Sequence, residues 1–285
     1  MKNQKQKTEY SILLLCVLIF TIIALTSTII SPICFAQTNL RYVKNEAFGF
    51  GEKLEYKVGM LSGALKGLGG SGGISIGKNP VKMTLSNGEI RDCYDITFWV
   101  DSEGIVDMTY SVHDKYRTIV DVAGIFPYEF HQRIREGNYK HDFTAKFDQI
   151  NNIAFVKDRQ YKVEEYVQDI VSALFYARTM DLSSLKNGEI ITLRNFYKDT
   201  TFELPIRIVR RETIKVSAGK FRTILVQPVI SAGSPFKFKN MINVWLTDDV
   251  RKIPIKVSTS IMIGDVGAEL FRYSGVRGKI DAKVE

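Results

Sequence analysis

Along most of this 285-residue chain apolar and polar side chains alternate one by one. Alternation with a period of two is what a strand with one face in a core requires. The runs Lys53–Val58, Tyr94–Val100, Ile105–Tyr110, Tyr116–Val120, Tyr139–Phe147, Ile190–Phe196, Phe202–Val216, Phe221–Val229, Phe236–Leu246 and Ile253–Ile263 all read this way, and they are rich in Val, Ile, Thr, Tyr and Phe. Asn87-Gly88, Asn187-Gly188, Ala218-Gly219 and Thr247-Asp248-Asp249 stand between such runs and supply turn chemistry. The pattern predicts about ten or more antiparallel strands in a meander.

One stretch breaks the period. Val163, Tyr166, Val167, Ile170, Val171, Leu174 and Phe175 recur at helical spacing, which predicts a helix over about 160–178 with Glu164, Glu165, Gln168, Asp169 and Ser172 on its other side. Its apolar stripe has to be buried, and the large apolar surface on offer is one face of the sheet. The predicted fold is therefore mainly β: a curved antiparallel sheet or partly open β-barrel with one amphipathic helix packed on it.

The first 36 residues have a different character. Lys2, Lys5 and Lys7 precede an apolar run over residues 11–30, and Cys34-Phe35-Ala36 places small residues at the −3 and −1 positions of a cleavage site before Gln37. This predicts a signal peptide and export to the periplasm or cell envelope. The run also approaches the length that spans a bilayer, so retention as an inner-membrane anchor is the alternative. Residues 37–47 then read as a linker and 48–285 as one β-rich domain.

Composition narrows the chemistry. The chain carries a formal charge of +8, and losing Lys2, Lys5, Lys7 and Glu9 with the leader leaves +6. A basic exported protein is drawn to anionic lipid or glycan surfaces, although solvated lysines on the outer faces of a β protein account for the same excess. There is no dense Arg/Lys run and no nucleic-acid motif, so nucleic acid is not an expected partner. Past the leader Cys93 is the one cysteine, a free thiol in the alternating run Asp92–Phe98, and it reads as buried and inert.

Several motifs dissolve on inspection. The glycine-rich stretch 63–77 contains formal G-x-G-x-x-G and G-x-S-x-G matches. A dinucleotide fingerprint needs a helix N-terminus after it, and a nucleophile elbow needs a strand-to-helix turn, whereas Ile74-Ser75-Ile76 continues as strand. The stretch reads as a flexible hairpin tip or mobile flap. No cofactor is implied. His113, His131 and His141 lack metal-binding spacing, so no metal site is expected. Asp248-Asp249 could be a carboxylate pair but is better read as a turn. Phe236, Lys237, Phe238 and Lys239 alternate so that the two lysines share a face, which suits a solvated surface or an anionic head group.

Taken together, Asp169–Arg178, Arg211-Glu212, Ala218–Thr223, the block Val244–Asp249 with Ile253-Pro254, and Gly264 resemble the bacterial domain of unknown function 3108 family, and Phe50–Tyr56 is similar to its opening. The resemblance spans about residues 48–275 and departs at the glycine run. It implies an exported β-rich protein with no established activity, and it supplies no catalytic residue. Trp245 is expected to point inward, and Arg178 to end the helix, where a cation suits the macrodipole.

The expected function is a non-enzymatic envelope module that binds a lipid-like, amphipathic or anionic ligand or touches the membrane surface. Tyr176, Arg178, Trp245, Lys237, Lys239 and Arg251 are the ligand-binding candidates. A hydrolase acting on envelope glycan or peptide, and a structural module that pairs through strand edges, are the alternatives. Oligomeric state stays open.

Overall fold

The structure, a computed structural model, describes residues 40–229, 241–262 and 264–284. The described residues from Leu40 onward belong to one compact unit. Its first meander comprises β1 (Lys53–Met60), β2 (Gly69–Ile76), β3 (Val81–Thr84), β4 (Ile90–Ser102), the short helix α1 (Gly104–Thr109), β5 (His113–Asp121), β6 (Pro127–Glu136), β7 (Tyr139–Asp148), β8 (Ile153–Val156) and β9 (Arg159–Lys162). Helix α2 (Ile170–Thr179) crosses to the second meander: β10 (Ile190–Tyr197), β11 (Thr200–Val216), β12 (Gly219–Pro228), β13 (Ile242–Thr247), β14 (Pro254–Ile261) and β15 (Gly264–Ser274).

These strands form one antiparallel sheet in the order β10-β11-β12-β13-β14-β15-β1-β2-β4-β5-β6-β7-β8-β9, with β3 flanking the start of β4. The pairing of β1 with β15 joins the two meanders. The ladder does not close, because β9 and β10 are its two ends. The sheet curls far enough for β10 to tuck against its other half. Tyr197 packs on Phe143 at 5.2 Å and Phe196 on Phe147 at 5.9 Å between ring centroids, and the Tyr197 hydroxyl donates to Gln132 Oε1 at 2.8 Å. Gln168 bridges to β10 in parallel: its N–H donates to the Arg194 carbonyl and its carbonyl accepts from the Phe196 N–H, both at 2.8 Å.

The helix is shorter than the apolar spacing predicts. Residues 159–162 form β9, paired with β8 around a two-residue turn in which Lys157 has φ 53°. Tyr166 at φ 55° cannot be helical, and α2 begins only at Ile170. Its start is set by a capping box. Asp169 Oδ1 accepts from the backbone N–H of Val171 at 2.7 Å and Ser172 at 2.9 Å, while Ser172 Oγ accepts from the Asp169 N–H at 2.9 Å. The supposed polar side of the helix is thus buried at Gln168, Asp169 and Ser172, where these groups satisfy backbone.

Three further expectations are corrected. Ile105–Tyr110 is not a strand but mostly α1, where the Thr109 hydroxyl donates back to the Ile105 carbonyl at 3.0 Å and no residue is buried. The glycine stretch is not a flap beyond the turn at 61–68; residues 69–76 are an interior strand between β1 and β4. Its glycines are there because neighbours leave no room. A Cβ on Gly69 would strike the Val58 carbonyl, on Gly70 the Asp101 carbonyl, and on Gly73 the Trp99 ring. Finally, residues 40–47 are no loose linker. The Val43 N–H donates to the Ala123 carbonyl at 2.8 Å, Arg41 donates to the carbonyls of Gly124 and Ile125, and Ala47 and Phe48 are fully buried.

A cavity beside helix α2

Strand alternation sends Tyr56, Ile74, Phe98, Tyr116, Val257 and Ala268 to the concave face, and α2 lies across that face without filling it. A cavity of about 400 Å³ remains, bounded by these residues, by Ile170, Val171, Leu174 and Ala177 of α2, and by Leu204, Val226, Val244 and Leu246 of the second meander. Among the described residues, no Asp, Glu, His, Lys, Arg, Ser or Cys lines it. Its two hydroxyls are already engaged. Tyr56 donates to the Pro254 carbonyl at 2.8 Å, and Tyr116 bonds Gln132. Burial pushes the Tyr116 phenol up to about 12, so it stays neutral. The described residues offer a molecule in this space almost entirely hydrocarbon and aromatic surface.

The cavity opens at one end of the sheet. Leu54, Ile96, Ile255 and Leu270 are fully buried inward positions, whereas Val58, Val100, Val257 and Val266, further along the same strands, are half-buried. The graded exposure follows β1 toward Met60 and β4 toward Ser102, so among the described residues the mouth lies toward the turns 61–68 and 103–112 and toward Met262. A Cβ on Gly72 would meet the Trp99 carbonyl oxygen at 2.8 Å and Val58 Cγ2 at 3.0 Å. Ile170 and Leu174, one helical turn apart on α2, are half-buried and form the inner wall.

Of the ligand-binding candidates read from sequence, Tyr176, Arg178, Trp245 and Arg251 lie elsewhere. Trp245 points outward, not inward: its neighbours Val244 and Leu246 line the cavity, while its indole N–H donates to Glu212 Oε1 at 2.8 Å on the outer face. Arg178 is fully buried in a pair with Glu52, its guanidinium between the rings of Phe48 and Phe175 at 5.2 Å each. Tyr176 stacks under Arg41 at 4.2 Å. Arg251 ties down backbone, donating to the carbonyls of Glu46 and Lys279. Lys237 and Lys239, with Phe236, lie outside the described residues.

Other candidate chemistry resolves into structure. Asp249 Oδ1 accepts from Thr247 Oγ1 at 2.8 Å and the Arg251 N–H at 2.9 Å, so the Asp248-Asp249 pair is the turn that its sequence suggests. Cys93 is fully buried, and burial raises its thiol to about 12. Among the described residues, no three His, Cys, Asp or Glu side chains gather as metal ligands. Sequence pattern alone did not reveal the cavity, because each of its walls is an ordinary core residue; only the curvature of the sheet separates them.

The family model described as "Protein of unknown function (DUF3108)" matches residues 61–270. The chain belongs to this family. The range matched by the DUF3108 family spans the glycine run and begins after the Phe50–Tyr56 block. Among solved structures, a β-barrel-like protein of domain of unknown function DUF1849 from Brucella abortus is similar at 8% identity, over 80% of this chain and 99% of that one, with a TM-score of 0.48. No curated protein matches the chain.

Proposed function

We propose that this DUF3108 protein is an exported, non-enzymatic binding module that holds a single hydrocarbon chain in the cavity beside α2. The observation that carries the reading is the lining: a space of about 400 Å³, within the range of roughly 300–1,000 Å³ usual for small-molecule sites, with no charged group and no unengaged hydroxyl among the described residues of its wall. A polar ligand would lose its hydration there without compensation. A hydrocarbon chain would gain about 25 cal/mol for each Å² taken from water. An anionic or amphipathic ligand enters tail first, with its head group left at the mouth.

The reading as a hydrolase finds no carboxylate, histidine or nucleophile among the described residues of the cavity wall. Pairing through strand edges is disfavoured at β10, where the Gln168 backbone already engages Arg194 and Phe196. Native mass spectrometry of protein purified from its own envelope tests the proposal. An adduct of fatty-acyl mass that organic solvent removes supports it, and a ligand-free chain that takes up no added fatty acid counts against it.

A further inference from the structure

Of the fourteen large apolar side chains exposed among the described residues, eight stand on the rim around the cavity mouth. Leu65 and Leu68 come from the turn between β1 and β2, Ile105 and Met108 from α1, Met241 from just before β13, and Met262 from just after β14. These turns are bonded to one another. The Leu61 N–H donates to the Asp265 carbonyl at 2.7 Å, the Glu103 N–H to the Gly69 carbonyl at 3.0 Å, and the Gly137 N–H to the Ser111 carbonyl at 2.7 Å. Tyr110, whose ring lies against Gly137, and Tyr139 beyond it complete the rim with half-apolar, half-polar side chains.

We infer that this rim docks on a phospholipid bilayer, so that the mouth of the cavity faces acyl chains. The inference rests on the proposed binding of a hydrocarbon chain. Apolar side chains that concentrate at separate turn tips on one end of a protein mark an interaction surface. Tips that project apart, without forming a groove, suit a deformable hydrocarbon layer better than a folded partner. Tyrosines at the periphery of such a patch fit the head-group level. Met262 is wholly exposed, and Met108 is 86% exposed, a costly arrangement in water for side chains with no polar atom to offer it.

The charges of the rim also define which membrane it takes. Among the described residues Asp101, Glu103, Asp107 and Asp265 outnumber Lys66 and Lys140, with His113 between Asp101 and Asp107. An acidic excess gives no attraction to anionic lipid, so docking is apolar and persists at high salt. Transfer of a chain between bilayer and cavity then requires no passage of hydrocarbon through water.

Hydrogen–deuterium exchange on the full chain, with and without dioleoylphosphatidylcholine vesicles, tests the inference. Amides of 61–68 and 104–110 are expected to exchange about tenfold more slowly with vesicles at both low and high salt, while the far turn 248–252 is unchanged. Insertion of residues 11–30 alone would not protect the rim selectively. In the variant Ile105→Asp/Met108→Asp the protection of 61–68 should vanish while binding of a fluorescent fatty acid persists, which separates docking from the cavity. Unchanged exchange at the rim with vesicles, in a protein that still binds the fatty acid, overturns the inference and leaves the cavity reading standing. Protection that grows with protein concentration without vesicles assigns the rim to a second copy and equally overturns it. Selective rim protection in a protein that binds no fatty acid upholds docking and removes the cavity reading.

Discussion

Arg178, at the end of α2, donates to both carboxylate oxygens of Glu52, at 2.6 and 3.0 Å, across 126 positions of sequence and with both side chains out of reach of water. The pair ties the helix that walls the cavity to the start of β1. The Arg178 Nε–H also donates to the Arg251 carbonyl at 3.2 Å, so the turn after β13 is held by the same side chain.

Removing one partner leaves the other charge buried alone. Glu52→Leu and Arg178→Met are each expected to lose about 3–5 kcal/mol in urea unfolding, and Glu52→Leu/Arg178→Met distinctly less than the two single losses combined. Additive losses in that double-mutant cycle would show that the two residues act independently.

The cap of α2 separates charge from hydrogen bonding. Asp169 is fully buried, and burial raises its pKa although Thr118 Oγ1 at 2.6 Å and two backbone N–H groups bond it. Asn retains an acceptor for the cap without a charge to desolvate. Asp169→Asn should therefore match or exceed the wild type in stability, and Asp169→Ala should lose about 1–2 kcal/mol. Thermal unfolding of both variants at neutral pH checks the contrast.

The glycine strand makes a positional prediction. Gly70→Ala drives a methyl group into the Asp101 carbonyl, whereas at Gly77 the nearest atoms lie at an ordinary 3.6 Å. Gly70→Ala is expected to cost about 2 kcal/mol or more by overpacking, and Gly77→Ala to stay within about 0.5 kcal/mol. Equal stabilities would mean that β2 does not sit so tightly between β1 and β4.

His113 reports on the mouth. Its Nδ1 lies 2.9 Å from Asp101 and its Nε2 3.2 Å from Asp107, and the hydrogen bond to Asp101 is the main cause of its raised pKa. A raised folded pKa means that the clamp between β4, α1 and β5 is fully present below about 6.5, the unperturbed value. It is lost as pH rises through the higher folded value. An NMR titration of the imidazole should show the elevation, and Asp101→Asn should reduce it; an unshifted His113 would show that the clamp is not populated in solution.

Much of the fold was legible because strands with one buried face write their period into the chain: Lys53–Val58, Tyr94–Val100 and Phe202–Val216 lie within observed strands. The errors have physical causes. Gly69–Gly73 carries no side-chain pattern to read, yet close packing demands glycine there. Val163 and Val167 are buried at helical spacing by an irregular segment that skirts the sheet, so their period imitates an extension of α2. Trp245 lies in a strand whose flanking Val244 and Leu246 face the interior, and an aromatic residue covered by Glu212 and Lys256 on the outer face is as buried as one in the core. The site was illegible since it consists of core residues held apart.

Leu174 is the residue on which the central claim is most directly tested, because it is half-buried on the inner wall and free to be enlarged into the cavity. Titration with a fluorescent undecanoic acid is expected to give saturable binding of one molecule per chain in the wild type. Leu174→Trp, with its fold retained by circular dichroism, should lose that binding by about tenfold or more as the indole fills the space. Equal binding by both proteins, or none by either, would contradict a hydrocarbon site beside α2.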